Sequence, residues 1–97
     1  MVAVAVEIHF PGTSLDQYDQ VIKAMGFVPK GPGEPGLLFH WVAEAGGGLR
    51  IVDVWETQEQ FERFAREKMG PLTAEAGFGA ESHFNVFEVH NYLVGNR

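Results

Sequence analysis

His40 and Asp53 stand in neighbouring segments that both read as strands, LLFHWVAE (37–44) and LRIVDVWE (49–56), joined by AGGG. Glycine accepts positive φ at no steric cost, so Gly46–Gly47 reads as a two-residue hairpin turn. That turn sets His40 against Asp53, Leu38 against Trp55 and Val42 against Ile51. Directly opposed residues share a face, with Cβ atoms about 5 Å apart. An aspartate that holds one imidazole nitrogen fixes the tautomer and leaves the other nitrogen as a general base. His40 and Asp53 are therefore the candidate catalytic pair. Trp55 ends its strand and offers an apolar face and one N–H, so it is expected to line the space between sheet and second helix and to contact a ligand there. His9, with Glu7, is expected to join the same cluster from the first strand. Phe39, Trp41, Val52 and Val54 fall on the opposite, wholly apolar face. A one-residue slip within the glycine run would separate His40 from Asp53. The same cluster also reads as a polar patch in a dimer interface.

Other chemistries are disfavoured. The chain has no cysteine, which removes disulfides, thiolate nucleophiles, Cys-type zinc sites and iron–sulfur clusters. His83 and His90 lie on opposite faces of one predicted strand, and no helical His-x-x-x-His occurs, so no metal site is expected. Ser14 reads as a helix cap and Ser82 as a strand start, without a nucleophile elbow. Gly31, Gly33 and Gly36 spell a G-x-G-x-x-G string, but it follows a helix and opens a strand, the reverse of a dinucleotide site. Pro32 and Pro35 also remove N–H donors from it.

The elements that must position these residues are legible in the periodicity. VAVAVEIHF (2–10) alternates, as a strand with two different faces does. TSLDQYDQVIKAMG (13–26) carries Leu15, Tyr18, Val21, Ile22 and Met25 at helical spacing, with Ser14 and Gln17 as a capping box and Gly26 as the stop. Residues 29–36 are a loop. TQEQFERFAREKMG (57–70) is a second helix, capped by Thr57 and Gln60, with Phe61, Phe64, Ala65 and Met69 inward; Pro71 then permits a fresh short turn. SHFNVFEVHNYLV (82–94) is a long final strand. The order is βαββαβ, and SLDQYD (14–19) faintly repeats as TQEQFE (57–62). The expected fold class is α+β, a ferredoxin-like four-stranded antiparallel sheet with both helices on one face. Its first and third strands are expected in the middle, running parallel.

The 97 residues amount to one domain, 1–97, with a modest core. Hydrophobic residues are 45% and charged residues 21%, the usage of a globular protein. No apolar run approaches a membrane span, and no basic flank precedes the N-terminal apolar stretch, so neither membrane nor signal peptide is expected. The net charge is −6 and the seven basic residues are scattered, which argues against a nucleic-acid partner. A cytoplasmic location fits the absence of cysteine.

GLLFHWVAEAGGGLRIVDVWETQEQFERF resembles the dimeric α/β-barrel superfamily, which includes antibiotic-biosynthesis-monooxygenase-like proteins. The shared features are a glycine-started strand bearing a histidine, a glycine-rich hairpin, a DVW strand end and a T-x-E-x-F-x-x-F helix. The resemblance covers nearly the whole chain. It implies a homodimer closed through the helix-free sheet faces and a ligand cavity between sheet and helices. The superfamily spans cofactor-free monooxygenases, cyclases, isomerases, haem-degrading enzymes and proteins of no known reaction. The haem-degrading branch uses a histidine on the second helix, which residues 57–70 lack. The monooxygenase-like branch implies Asn, Trp and Tyr around a polyaromatic substrate; Trp55 corresponds to such a Trp, and Tyr18 is a further candidate for substrate contact. Three functions remain open. One is a cofactor-free enzyme that abstracts a proton from a small apolar or aromatic molecule, with or without oxygen. The second is a non-catalytic ligand-binding or stress-type module. The third is a dimer whose pocket is filled by its own side chains.

Overall fold

A computed structural model describes residues 2–79 and 81–95. The elements are β1 (Val4–Pro11), α1 (Leu15–Ala24), β2 (Leu37–Ala45), β3 (Gly48–Trp55), α2 (Gln58–Phe64), a π-helical segment (Ala65–Met69), α3 (Gly70–Glu75) and β4 (His83–Glu88). The four strands form one sheet in the order β2-β3-β1-β4, and every pairing is antiparallel. This is the expected ferredoxin-like arrangement, with one correction. The first and third strands are central as expected, but they run antiparallel. The reason is topological: the α1 crossover makes β1 and β2 parallel with a slot between them, and β3 fills that slot by a tight hairpin from β2, so it opposes both neighbours.

Both helices start as their sequences require. Ser14 and Thr57 each accept from the backbone of the residue three positions on, and Gln17 and Gln60 reach back in reciprocal capping boxes. Gly26 closes α1 at φ +85°. The second helix runs past its expected end. It widens into the π-helical segment and continues through Pro71 to Glu75. Proline lacks an N–H and crowds the carbonyl of the preceding turn. In the wide turn that precedes it, the Gly70 N–H bonds back to Ala65, and the chain stays helical.

The final strand is shorter than expected. β4 pairs only with β1, and the last paired residues are Glu88 and Val4. The Val89 N–H still reaches Ala3, but β1 offers no partner beyond that, so residues 89–95 are irregular.

The core lies between the sheet and the helices. Val4, Val6, Ile8 and Phe10 of β1 meet Leu49, Ile51 and Trp55 of β3 and Phe61 of α2. Alternation along β1 sends Ala5, Glu7 and His9 to the other side. That helix-free face is uncovered in the single chain: Phe39 is 62% exposed and Phe87 52%.

Candidate acid–base site

The hairpin that carries the site has the expected turn. Gly46 and Gly47 sit at φ +61° and +75°, a conformation that L side chains rarely adopt. From this turn the register runs Ala45 with Gly48, Val42 with Ile51, Trp41 with Val52 and His40 with Asp53. It shifts between Leu37 and Phe39, so Leu37, not Leu38, opposes Trp55. The bulge lies beyond His40 and leaves the pair intact.

His40 Nδ1 lies 2.5 Å from Asp53 Oδ1. The Trp55 indole N–H donates to Asp53 Oδ2 at 3.2 Å. Asp53 is only 3% exposed, and a buried carboxylate is costly unless its oxygens are paired; here each oxygen has a donor. Because the carboxylate only accepts, Nδ1 carries the imidazole proton, and Nε2 of the neutral ring is an acceptor. Tyr18 Oη, from α1, stands 2.5 Å from Nε2, with the two rings stacked at 5.9 Å between centroids. Burial, then Asp53 and Asp19, push the Tyr18 phenol up from 10.0 to about 12. The phenol is therefore protonated at neutral pH and donates. The result is a directed chain, Tyr18 to His40 to Asp53, braced by Trp55.

The placement of the other expected residues is mixed. Tyr18 joins the site, reaching it from the inward stripe of α1. Trp55 touches Asp53, but it is fully buried at 0% exposed and packs against Phe61 and Phe64 with ring centroids 6.1 and 5.2 Å away. It is a core residue, not the partly open wall expected of a strand-end indole, because the second helix closes over it. His9 does not join the cluster. It alternates with the buried Ile8 and Phe10 and so faces the helix-free side, in register with Arg50 and His83; Glu7 goes with it. The expectation that Nε2 is a free base is also corrected, since Tyr18 occupies it.

His40 lines neither of two cavities that open on the described residues. One, of about 200 Å³, is bounded by Glu7, His9, Arg50, His83 and Asn85 on the helix-free face. The other, of about 390 Å³, lies between Glu34–Pro35 and Gln60, Arg63, Phe64 and Lys68. The Lys68–Glu34 ion pair, at 2.8 Å, ties the 31–36 loop to the helix beside this groove. His40 itself is 27% exposed through its side chain, so the site meets solvent at the β2 edge. Among the described residues, no group of three or more His, Asp or Glu side chains is placed to hold a metal ion. Nor, among them, is any helix long and apolar enough to cross a membrane.

No family model matches the chain, and no curated protein matches it. Solved structures do. A protein of unknown function from Nitrosomonas europaea superposes with a TM-score of 0.70 at 12% identity, covering 100% of this chain and 98% of that one. SnoaB, a cofactor-independent oxygenase from Streptomyces nogalater, gives 0.62 at 16% identity, covering 96% and 98%. A dimeric ferredoxin-like protein of unknown function from Thermobifida fusca gives 0.58 at 17%, covering 91% and 92%. At such identities the likeness is one of fold, and the chain has a ferredoxin-like fold.

Proposed function

We propose that this protein is a cofactor-free acid–base enzyme acting on a small apolar or aromatic molecule with an acidic C–H or O–H, such as a polycyclic phenol or an enolisable aromatic ketone. The observation that carries this reading is the Tyr18–His40–Asp53 chain. A buried carboxylate, a neutral imidazole oriented by it and a protonated phenol at the partly open end are the parts of a proton relay. Tyr18 Oη takes the substrate proton while passing its own to His40 Nε2. The imidazolium that forms is stabilised by Asp53, and the substrate is left as a resonance-stabilised anion. With oxygen as second substrate, that anion is oxidised: a CH₂ group becomes a carbonyl, one oxygen atom enters the product and the other leaves as water. Without oxygen, return of the proton at another atom is an isomerisation. The fold likeness to a cofactor-independent oxygenase supports the oxidative version.

The protein acts as a homodimer in this reading. The exposed Phe39, Trp41 and Phe87 of the helix-free face, the wholly exposed edge strand β4 and the dimeric fold neighbour support it.

A second reading is a non-catalytic module of the same fold. What favours it is the occupied Nε2 and the absence of His40 from the walls of the two cavities described above. Oxygen uptake with a panel of polycyclic phenols and aromatic ketones separates the two. The enzyme reading expects uptake above the buffer rate, lost in a folded His40→Ala variant. Uptake at the buffer rate across the panel supports the binding module, and uptake above it that is unchanged in His40→Ala contradicts the relay through His40.

A further inference from the structure

We infer that the C-terminal segment of a second copy of this chain pairs with the open edge of β2 and sets its Tyr92 beside His40, so that one wall of the Tyr18–His40–Asp53 site comes from the partner. The sequence HFNVFEVHNYLV (83–94) reads as one long strand, yet only His83–Glu88 is paired within the chain. Val89 still reaches Ala3, and among the described residues no strand lies beside 90–95. The result is a run of apolar side chains in solvent: Leu93 is 88% exposed, Val94 83%, and Tyr92 about half. Single exposed apolar residues are ordinary; a contiguous run marks an interaction surface. Val and Tyr favour strands because they pack against neighbours on a pleated surface, so this segment calls for a neighbouring strand.

The sheet has such a place, at its far edge. β2 is nine residues long and pairs with β3 alone among the described residues. Leu38, Phe39 and Trp41 are exposed on it, and a long apolar edge with unpaired backbone groups is normally paired or covered. β4 stands at the opposite edge, three strand spacings or roughly 14 Å away. To reach its own β2, the tail would have to cross the helix-free face beneath β1 and β3. A second copy packed on that face meets no such obstacle. Two sheets of four strands make eight, enough for a small closed barrel, and closure is what removes open edges. β4 alone has six residues against the nine of β2, so the tail supplies the length that β4 lacks. Pairing each edge with its own copy would leave the tail uncovered.

Alternation then fixes the side on which each residue falls. Phe84 packs on Phe10 and Phe61, so the even-numbered residues of β4 face the helices. Continued as a strand, His90, Tyr92 and Val94 lie on the helix side and Leu93 on the other. On β2, His40 lies on the helix side through its bond to the buried Asp53, and Phe39 and Trp41 lie opposite. Neighbouring strands keep their sides, so the partner's Tyr92 falls on the side of His40, and the partner's Leu93 joins Phe39 and Trp41. In the single chain the relay opens directly to solvent at the β2 edge. The partner's Tyr92 turns that opening into a walled pocket, with an aromatic face suited to a flat aromatic substrate. That last point rests on the acid–base reading; the strand pairing does not.

The test is disulfide cross-linking in the full chain, which has no cysteine of its own. Val42 lies two residues from His40 on the same side of β2 and is half-buried. Val42→Cys is combined in turn with His90→Cys, Tyr92→Cys and Val94→Cys, which spans the registers that alternation allows. Paired residues on adjacent strands lie within disulfide reach. Mild oxidation should turn at least one double variant into a covalent dimer that no single-cysteine variant forms. As a second measurement, the imidazole C–H signals of His40 should shift in Tyr92→Ala and stay near their wild-type positions in Tyr92→Phe, which keeps the ring. The proposal is overturned if none of the three combinations gives a covalent dimer, if the bridge forms within one chain, if a single-cysteine variant dimerises covalently and so shows like pairing with like, or if the His40 signals are unchanged in Tyr92→Ala. Neither measurement needs turnover, so both decide the matter even for a protein that catalyses nothing; proton abstraction without the cross-link would sink this inference and leave the relay standing.

Discussion

The Tyr18 hydroxyl meets the one imidazole nitrogen of His40 that Asp53 leaves open, with Oη 2.5 Å from Nε2. A helix residue and an edge-strand residue are thereby joined across the layer boundary, and the histidine is held at both nitrogens. This single contact distinguishes a relay from a simple His–Asp base.

Removing the hydroxyl isolates its contribution. Tyr18→Phe keeps the stacked ring and deletes one hydrogen bond. His40 is partly exposed, so water can replace the lost donor. The stability loss in urea denaturation should be about 1 kcal/mol. A loss of several kcal/mol would show that the hydroxyl supports more of the core than this one bond.

The phenol also predicts an alkaline transition. Its folded value is raised from 10.0 to about 12. A raised value means that the unfolded chain gives up the proton first, so the contribution to stability is complete below about pH 10 and is lost as pH rises toward about 12. In a Tyr92→Phe background Tyr18 is the one remaining tyrosine. Its phenolate absorbance should appear well above pH 10, and unfolding should become easier over the same interval. Phenolate formation at the ordinary value would contradict the buried, Asp53-facing placement.

Trp55 is a core residue whose N–H also serves Asp53. Trp55→Ala should cost roughly 3–5 kcal/mol, the usual range for a buried large-to-small change. Trp55→Phe refills most of the volume but leaves Asp53 Oδ2 without its donor, and should cost about 1–3 kcal/mol. Denaturant midpoints of the two variants check both values; a cost of only 1–2 kcal/mol for the alanine would fit an indole that lines an open cavity.

Much of this architecture was legible in the residues. The capping boxes at Ser14–Gln17 and Thr57–Gln60, the Gly46–Gly47 turn and the His40–Asp53 register all follow from local rules of short range, and all are present. What failed depends on tertiary context. The placement of His9 requires knowing which face of β1 the helices cover, and alternation gives two faces without saying which is which. A strand-end indole has the reach to form an open wall, but the depth at which α2 sits on the sheet is not written in its periodicity. The Tyr18 contact depends on how far α1 crosses toward β2. Its position in the inward stripe was a signal, though a stripe residue is more often plain core. The continuation of the helix through Pro71 is not legible, because proline ordinarily ends a helix and the wide π-helical turn that accommodates it leaves no mark in the hydrophobic pattern.

The helix-free face predicts the assembly. Trp41 and Phe39 sit on the exposed side of β2, opposite Val52 and Val54. A homodimer closed over this face should bury on the order of 2,000 Å². Light scattering should report a dimer at micromolar concentration, and Trp41→Glu should shift it to monomer. A wild-type monomer at that concentration would contradict the assignment.

Proton abstraction by the relay is the central claim, and deuterium washout tests it without oxygen. An enolisable aromatic ketone labelled at its acidic carbon is incubated with the protein in anaerobic water, and loss of label is followed by NMR. The account predicts washout faster than in buffer. His40→Ala should slow it by about 10²–10⁴-fold, the usual contribution of a positioned acid–base group, and Tyr18→Phe should also slow it. Washout at the same rate with the wild type, with His40→Ala and in buffer alone would contradict the claim.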